Sequence, residues 1–215
     1  MKNDIYNFEN DFSNNGYYGT NLWTEEKYRV LSGIKPVLIS APHAVNHFRD
    51  DDIRDAEKFT GALTRYLSYS TSSYAIFQMF THADPNTDKE SLYKNAIINL
   101  VESYDIKLLI DIHSSTFKDD TDLDLVSHLH ETLCGHEEIV SKLKLLSNKY
   151  GLKIDENNNP NPEKENEIIA STALVCGIPS IRIVINNNNM VSPGDNIKFK
   201  KICAMLEEFI NTIKF

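Results

Sequence analysis

The sequence predicts a three-layer α/β fold, in which helices cover both faces of a mostly parallel, mixed sheet. Short apolar runs bounded by Pro, Gly or polar clusters recur along the chain, and such runs are typical of strands buried on both faces. Longer amphipathic segments separate these runs, which indicates crossover helices. With 215 residues the chain can form one complete hydrophobic core, so we expect a single catalytic-type domain over residues 1–215.

The first predicted elements follow from local composition. Residues 1–34 are rich in Asn, Asp, Tyr and Gly, so we expect an irregular N-terminal arm packed on the domain, with short strands around residues 17–28. An apolar run between two prolines predicts a strand over residues 37–41. An apolar stripe predicts a helix over residues 53–69, with Asp51 or Asp52 as its N-cap.

The remaining elements alternate in the same way. Apolar runs predict further strands at residues 74–80, 107–112, 122–127 and 180–186. Apolar periodicity predicts further helices at residues 89–103, 136–150, 166–176 and 195–213. Asn and Pro mark loops at residues 155–165 and 186–189.

Composition narrows the class of function. Lys and Arg total 22 against 31 Asp and Glu, and the resulting net charge of −9 argues against a nucleic-acid partner. Neither a membrane-spanning apolar run nor an apolar signal region is found, so we expect a cytoplasmic protein without a membrane partner. The cysteines are too few and too scattered for a zinc ribbon or a disulfide framework, and we expect them in the core: Cys134, Cys176 and Cys203.

Two predicted strands run into a histidine, His43 after residues 37–41 and His113 after residues 107–112. Ligands of open α/β sheets bind beyond the carboxyl ends of the strands, so both imidazoles are expected at one sheet edge. Two imidazoles and one carboxylate form a catalytic zinc site. Glu57 and Asp55 are the candidate carboxylates, and on a helix they would face different ways. Structural histidines, each hydrogen-bonded by itself, are the simpler alternative.

The segments PVLISAPHAVNHFRDDDIRDAEKFTGALTRYLS, THADPN, YKNAI and IKLLIDIHSS resemble the N-formylglutamate amidohydrolase family, which is related to zinc carboxypeptidases and aspartoacylases. The resemblance covers residues 37–115 and, more weakly, residues 180–186. It implies a carboxypeptidase-like hydrolase fold, a Zn²⁺ cofactor and the zinc ligands His43, Glu57 and His113. Asp111 shares a strand face with His113, so it is either an outer carboxylate that orients the imidazole or an ordinary capping residue.

The resemblance also implies a general-base Glu on the last strand, where this sequence has Val184. Strand alternation places Arg182, Val184 and Asn186 on one face, so Arg182 and Asn186 are candidate substrate-binding residues. Arg182 is also a weak catalytic candidate. A substitute base would have to come from the charged segment that contains Glu163, Glu165 and Glu167, and Glu167 is the candidate catalytic residue among them. A solvated charge run is the simpler interpretation of this segment.

Substrate recognition is less clearly encoded. Arg49 and Asn86 are candidate substrate-binding residues. By the resemblance, Asn86 corresponds to the Asn of an Asn-Arg pair that binds the substrate in the family, and this chain has Thr87 at the position of the Arg. The alternative for Asn86 is an ordinary turn residue after Pro85. A run with three histidines is predicted to be a solvated helix entry, with a lid over the site as the alternative: His128, His130 and His136.

Together these observations predict a zinc-dependent amidohydrolase-like protein. Its expected partner is a small N-acyl amino acid or a peptide-like amide, and we expect that substrate to be anionic. The alternative is a family member that binds the metal and a small ligand or partner but has lost catalysis at Val184.

Overall fold

The computed structural model describes residues 2–19, 27–50, 52–117, 119–156, 164–190 and 196–215. Nine strands are found within these ranges: Tyr28–Leu31 (β1), Lys35–Ala41 (β2), His47–Arg49 (β3), Asp52–Arg54 (β4), Ser73–Gln78 (β5), Leu108–Ser115 (β6), Leu123–Val126 (β7), Ile154–Glu156 (β8) and Ser180–Asn186 (β9). Seven α-helices accompany them: Lys2–Ser13 (α1), Thr60–Thr71 (α2), Leu92–Tyr104 (α3), Glu138–Tyr150 (α4), Ile168–Cys176 (α5), Asn187–Met190 (α6) and Ile197–Thr212 (α7).

Seven of the strands form one sheet in the order β1-β5-β2-β6-β9-β7-β8. The four central strands β5, β2, β6 and β9 are parallel, whereas β1 and β7 run antiparallel to their neighbours β5 and β9. Strands β3 and β4 form a separate antiparallel hairpin. Parallel neighbours end at the same sheet edge, and this edge carries the site described below.

Helices cover both faces of the sheet, because successive side chains of the buried strands point to opposite sides. Val37 and Ile39 pack into a core shared with α2, α4 and α7. Leu38 lies on the other face, in a core shared with α3 and α5. This arrangement confirms the predicted three-layer α/β fold with a mostly parallel, mixed sheet.

The prediction of an irregular N-terminal arm is wrong over its first part, which forms α1. Ile5, Glu9 and Phe12 recur at helical spacing and are buried. Phe12 packs closely over Gly61 of α2, where an added β-carbon would lie 2.5 Å from the ring. Packing against α2 therefore stabilises a helix that the Asn- and Asp-rich composition of this segment does not predict. Of the strands expected around residues 17–28, residues 20–26 lie outside the described ranges, and β1 begins at Tyr28.

The predicted helix over residues 53–69 is also wrong at its start, because the helix begins at Thr60. Residues 52–54 pair with residues 47–49 in the hairpin, so Asp52 is a strand residue and not an N-cap. Asp51 lies outside the described residues. Phe59 has a positive φ of 66°, which a continuous right-handed helix excludes. Glu57 consequently lies in the segment before α2.

The other predicted strands and helices are present, with ends that shift by up to three residues. Strand β8 and the single-turn helix α6 replace parts of two predicted loops. Cys203 is buried in the core as expected, whereas Cys134 is exposed and Cys176 is half-buried. Among the described helices, none combines the length and apolar character required to cross a bilayer.

Candidate metal centre

Three side chains predicted to bind a metal meet at the carboxyl edge of the central strands. His43 follows β2 by two residues, and His113 lies near the end of the neighbouring strand β6. Glu57 approaches from the segment before α2. The Nδ1 atoms of His43 and His113 lie 2.8 and 3.2 Å from Oε1 of Glu57. The potential ligand atoms of all three residues lie within 4.8 Å of one another.

Backbone contacts hold Glu57 in this position. Its backbone N–H donates to the carbonyl of His43 at 2.9 Å, and its carbonyl accepts from the hydroxyl of Thr60 at 2.6 Å. Its second carboxylate oxygen accepts from the backbone N–H of Ser114 at 2.8 Å. The loop is thus tied to both strands that carry the histidines. Asp55, the alternative carboxylate, is exposed.

A buried carboxylate contacts the far nitrogen of each imidazole. Nε2 of His43 lies 2.8 Å from Oδ1 of Asp84, and Nε2 of His113 lies 2.9 Å from Oδ2 of Asp111. Both carboxylates are nearly inaccessible to solvent. When a carboxylate accepts the proton on Nε2, the lone pair of the imidazole is left on Nδ1, the atom that faces Glu57.

The donor set fits zinc. Ligand atoms about 2.0–2.2 Å from a tetrahedral ion are separated from one another by roughly 3.3 Å, close to the two nitrogen–carboxylate distances observed. Outer carboxylates of the kind supplied by Asp84 and Asp111 are typical of histidine–zinc sites. Asp84 was missed in the sequence analysis. Its signal is its place after β5, the other parallel neighbour of β2, so that it returns to the same sheet edge.

The electrostatics of the site favour a cation between the imidazoles. Burial lowers the pKa of His113, but the charges of Glu57 and Asp111 outweigh burial and raise that pKa to about 9. Burial opposes protonation of His43 as well, and Glu57 and Asp84 again raise the pKa. Burial raises the pKa of Glu57, but the two imidazoles outweigh it and lower that pKa. A metal ion competes with protons for such nitrogens.

A second group of potential ligands, His43, His47 and Asp84, shares one imidazole with the first. The rings of His43 and His47 are stacked, with centroids 3.9 Å apart and planes at 4°. Imidazole lone pairs lie in the ring plane, so two stacked rings do not direct them to one ion. Burial lowers the pKa of His47 to about 4, with His43 acting in the same direction. A neutral His47 therefore serves as a packing surface for His43.

Arg182 extends the polar network below His113. The register of β6 and β9 places Arg182 beside Asp111 and Val184 beside His113. Nε of Arg182 lies 3.6 Å from Asp111, and one terminal nitrogen lies 3.2 Å from Glu167. Arg182, Val184 and Asn186 share one face, as the alternation predicted, because Ile181, Ile183 and Ile185 all enter the opposite core.

The predicted substrate-binding residues have protein partners. Two nitrogens of Arg49 donate to Asp84 at 2.7 and 2.6 Å. The side-chain oxygen of Asn86 accepts from Arg182 at 3.1 Å. The side chain of Asn186 donates to the carbonyl of Thr121 at 2.8 Å, which anchors the loop before β7.

Of the three histidines near β7, His136 lies at the exposed entry of α4, as predicted, whereas the prediction is wrong for the buried His128. His128 is buried, with Nε2 2.8 Å from Glu167, and it begins a turn of three residues with positive φ. His130 contacts Glu156, and His136 lies 2.8 Å from Glu138 at the surface. Of the acidic residues considered as a substitute base, Glu165 is exposed and Glu163 lies outside the described residues.

A cleft of about 720 Å³ opens beside Glu57. Ser114, Ser115, Thr116 and Asn187 line one part of it, and Asp55 and Lys58 line another. The side-chain oxygen of Ser114 is buried and has no hydrogen-bond partner among the described residues. The cleft provides room for a substrate next to the convergent side chains.

Comparison with solved structures places this chain in a known class of fold. N-formylglutamate amidohydrolase from Ralstonia eutropha matches with a TM-score of 0.60 at 12% identity, over 86% of this chain and 96% of that one. Succinylglutamate desuccinylase from Chromobacterium violaceum matches with a TM-score of 0.56 at 11% identity, over 97% and 77%. A bacteriophage poly-gamma-glutamate hydrolase matches with a TM-score of 0.51 at 12% identity, over 86% and 89%.

The chain therefore shares its fold with N-formylglutamate amidohydrolase, succinylglutamate desuccinylase and poly-gamma-glutamate hydrolase. At these identities the likeness shows a shared fold. No protein-family model matches the chain, and no curated protein matches its sequence.

Proposed function

We propose that this chain is a zinc-dependent hydrolase that cleaves an amide bond in a small N-acyl amino acid or a peptide-like compound. The observation that carries the proposal is the convergence of His43 Nδ1, His113 Nδ1 and the Glu57 carboxylate, with the opposite nitrogen of each imidazole held by a buried carboxylate. The names of the fold neighbours add that such folds support amide hydrolysis.

His43, Glu57 and His113 would hold the ion, and Asp84 and Asp111 would orient the two imidazoles. A bound zinc ion polarises a carbonyl and lowers the pKa of water to about 7. The cleft beside Glu57 would hold the substrate amide, with Ser114 as a hydrogen-bonding group in its wall.

We further propose that Arg182 and Glu167 act as positioning residues. Arg182 lies between Glu167 and Asp111, and Asp111 contacts the imidazole of His113. A guanidinium in this place keeps the buried Asp111 ionised, because opposite charge favours the charged form. This role differs from the direct catalytic role considered from the sequence.

Metal content tests the proposal first. Protein purified with zinc present and then dialysed should contain about one zinc per chain. His43→Ala and His113→Ala should lose most of that zinc, whereas His136→Ala is the matched control, because His136 contacts Glu138 at the surface. Wild-type protein without zinc, or zinc retained by both site variants, would refute the proposal.

A second candidate function is metal binding without hydrolysis, and Val184 is the observation that favours it. Val184 pairs directly with His113 across β6 and β9, on the face that carries the site residues. A carboxylate at this position would lie close enough to act as a general base, and valine has no group that accepts a proton. The chain would then bind a small ligand or a partner at the metal.

Val184→Glu distinguishes the two functions, and Val184→Gln serves as a neutral control of nearly the same size. Amidase activity of the zinc-loaded wild type on N-acyl amino acids supports the hydrolase and eliminates the second candidate. Activity that arises only in the Glu variant, with zinc content unchanged in all three proteins, supports the second candidate.

A further inference from the structure

All five arginines of this chain lie within the described residues, and each is in an ion pair with a carboxylate. Two are remote from the metal centre and share Asp11, and the other three belong to the centre or to the hairpin beside it. The pairs are Arg29 and Arg65 with Asp11, Arg49 with Asp84, Arg54 with Asp52, and Arg182 with both Asp111 and Glu167.

Carboxylates of the protein hold both guanidiniums at the centre. Arg49 donates to Asp84 from two nitrogens, and only about a tenth of the Arg182 side chain is exposed. A nearby ammonium, Lys94, donates to the backbone carbonyl of Asn166 at 2.7 Å. Burial lowers the pKa of Lys94, and Asp88 and Asp84 oppose this effect. Arg49, Arg182 and Lys94 therefore each have a partner within the protein.

The charge balance of the centre also indicates that its guanidiniums are compensated within the protein. The centre contains four carboxylates and two guanidiniums: Asp84 contacts Arg49, Asp111 and Glu167 contact Arg182, and Glu57 contacts the imidazoles of His43 and His113. The resulting excess of two negative charges equals the charge of one zinc ion. With zinc bound and both imidazoles neutral, the carboxylates compensate both guanidiniums and the ion, so neither guanidinium is left over for an anionic substrate.

The lining of the cleft beside Glu57 suits a neutral ligand better than an anionic one. Its hydroxyl and amide groups come from Ser114, Ser115, Thr116 and Asn187, and its two other charged side chains, Asp55 and Lys58, have opposite sign. The buried hydroxyl of Ser114, which lacks a hydrogen-bond partner among the described residues, is one such group. Neutral donors and acceptors of this kind recognise amides and hydroxyls.

We infer that the substrate of this site is a neutral, amide- or hydroxyl-bearing N-acyl compound and not an N-acyl dicarboxylate. The inference rests on the proposed zinc-dependent hydrolase. It departs from the anionic substrate expected from the sequence, because the candidate anion-binding arginines Arg49 and Arg182 are both neutralised within the protein.

A matched pair of substrates tests the inference with the full zinc-loaded chain. N-formyl-L-glutamate carries two negative charges, and the α-amide of N-formyl-L-glutamine has nearly the same shape without charge. We expect kcat/KM to be about 10- to 100-fold higher for the neutral compound, because a carboxylate that loses its hydration without gaining a cationic partner pays an uncompensated desolvation cost. Calorimetric binding of both compounds provides a second readout, which ranks them even where turnover is slow.

A preference for the dicarboxylate in turnover or binding, with zinc bound, would overturn the inference and leave the proposed function intact. Absence of zinc would instead refute the proposed function. Thr116→Arg adds a cation to the wall of the cleft and should shift the ratio toward the dicarboxylate. Ser141→Arg adds the same charge on the exposed surface of α4 and should not. Equal shifts in both variants would contradict the assignment of the preference to this site.

Discussion

Asp84→Asn provides a direct test of how the metal centre is held. Asp84 is 5% exposed, and its Oδ1 lies 2.8 Å from Nε2 of His43 and accepts from the backbone N–H of Asn86 at 2.9 Å. Its Oδ2 binds Arg49. Asparagine keeps the shape and one acceptor, so the substitution removes the charge while the turn at Asn86 is retained.

The magnitude follows from the two orientations open to the amide. With its oxygen toward His43, the amide still orients the imidazole but makes it less basic, and its NH₂ group faces Arg49. With its NH₂ toward His43, Nε2 must accept, so the proton moves to Nδ1 and blocks the metal. Loss of an outer carboxylate of this kind lowers metal affinity about 10- to 100-fold, or about 1.4–2.8 kcal/mol.

Competition with a chromophoric zinc chelator at neutral pH measures the affinity. Asp88→Asn is the control, because it makes the same change of charge four residues away, at a side chain that accepts from the backbone N–H of Glu90. We expect the control to bind zinc like the wild type and urea unfolding to show both variants folded. A wild-type zinc Kd for Asp84→Asn would refute the view that this carboxylate holds His43 for the metal.

Three further outcomes are expected. Burial raises the pKa of Glu9 to about 7 from 4.5, so the folded state binds the proton more tightly, and this contribution to stability is complete below pH 4.5 and lost as the pH rises through 7. The free energy of unfolding of the wild type, relative to Glu9→Gln, should therefore fall by roughly 3 kcal/mol across this range in urea titrations, and a constant difference would contradict the burial effect. Gly61→Ala should lower stability by about 1–3 kcal/mol and loosen α1, since its β-carbon would crowd Phe12, and faster proteolysis of the N-terminus would report this. Asp111→Asn should weaken zinc binding about 10- to 100-fold, measured as for Asp84→Asn.

The central sheet could be predicted from the sequence because its strands are buried on both faces. Runs such as residues 107–112 are continuous and apolar, and Pro or polar clusters stop them, so local composition suffices. The meeting of His43 and His113 was also predictable, since parallel neighbouring strands end at one edge.

Elements that depend on distant partners were not predictable in this way. Helix α1 buries only a narrow stripe, and its closest packing is against Gly61, about fifty residues further along the chain. The apolar spacing of residues 53–69 fits a continuous helix, but residues 52–54 form a strand of the hairpin with β3. The positive φ of Phe59 excludes a helix through this residue, and the sequence does not reveal that backbone conformation. The stacking of His47 on His43 likewise follows from the hairpin and not from the spacing of the two residues.

Under the proposed function, zinc binding would be coupled to the position of the loop before α2. Glu57 is tied by its backbone to His43 and by its carboxylate to the backbone of Ser114, so the same residue that would bind the ion also joins β2 to β6. Buried carboxylates in excess of guanidiniums are costly unless protons or a cation compensate them. Protons on Nδ1 of His43 and His113 would compensate the same charge as the proposed ion, so the proposed function predicts that zinc removal leaves the chain folded. Loss of Glu57, in contrast, would remove both the proposed ligand and the link from the backbone of His43 to the backbone of Ser114.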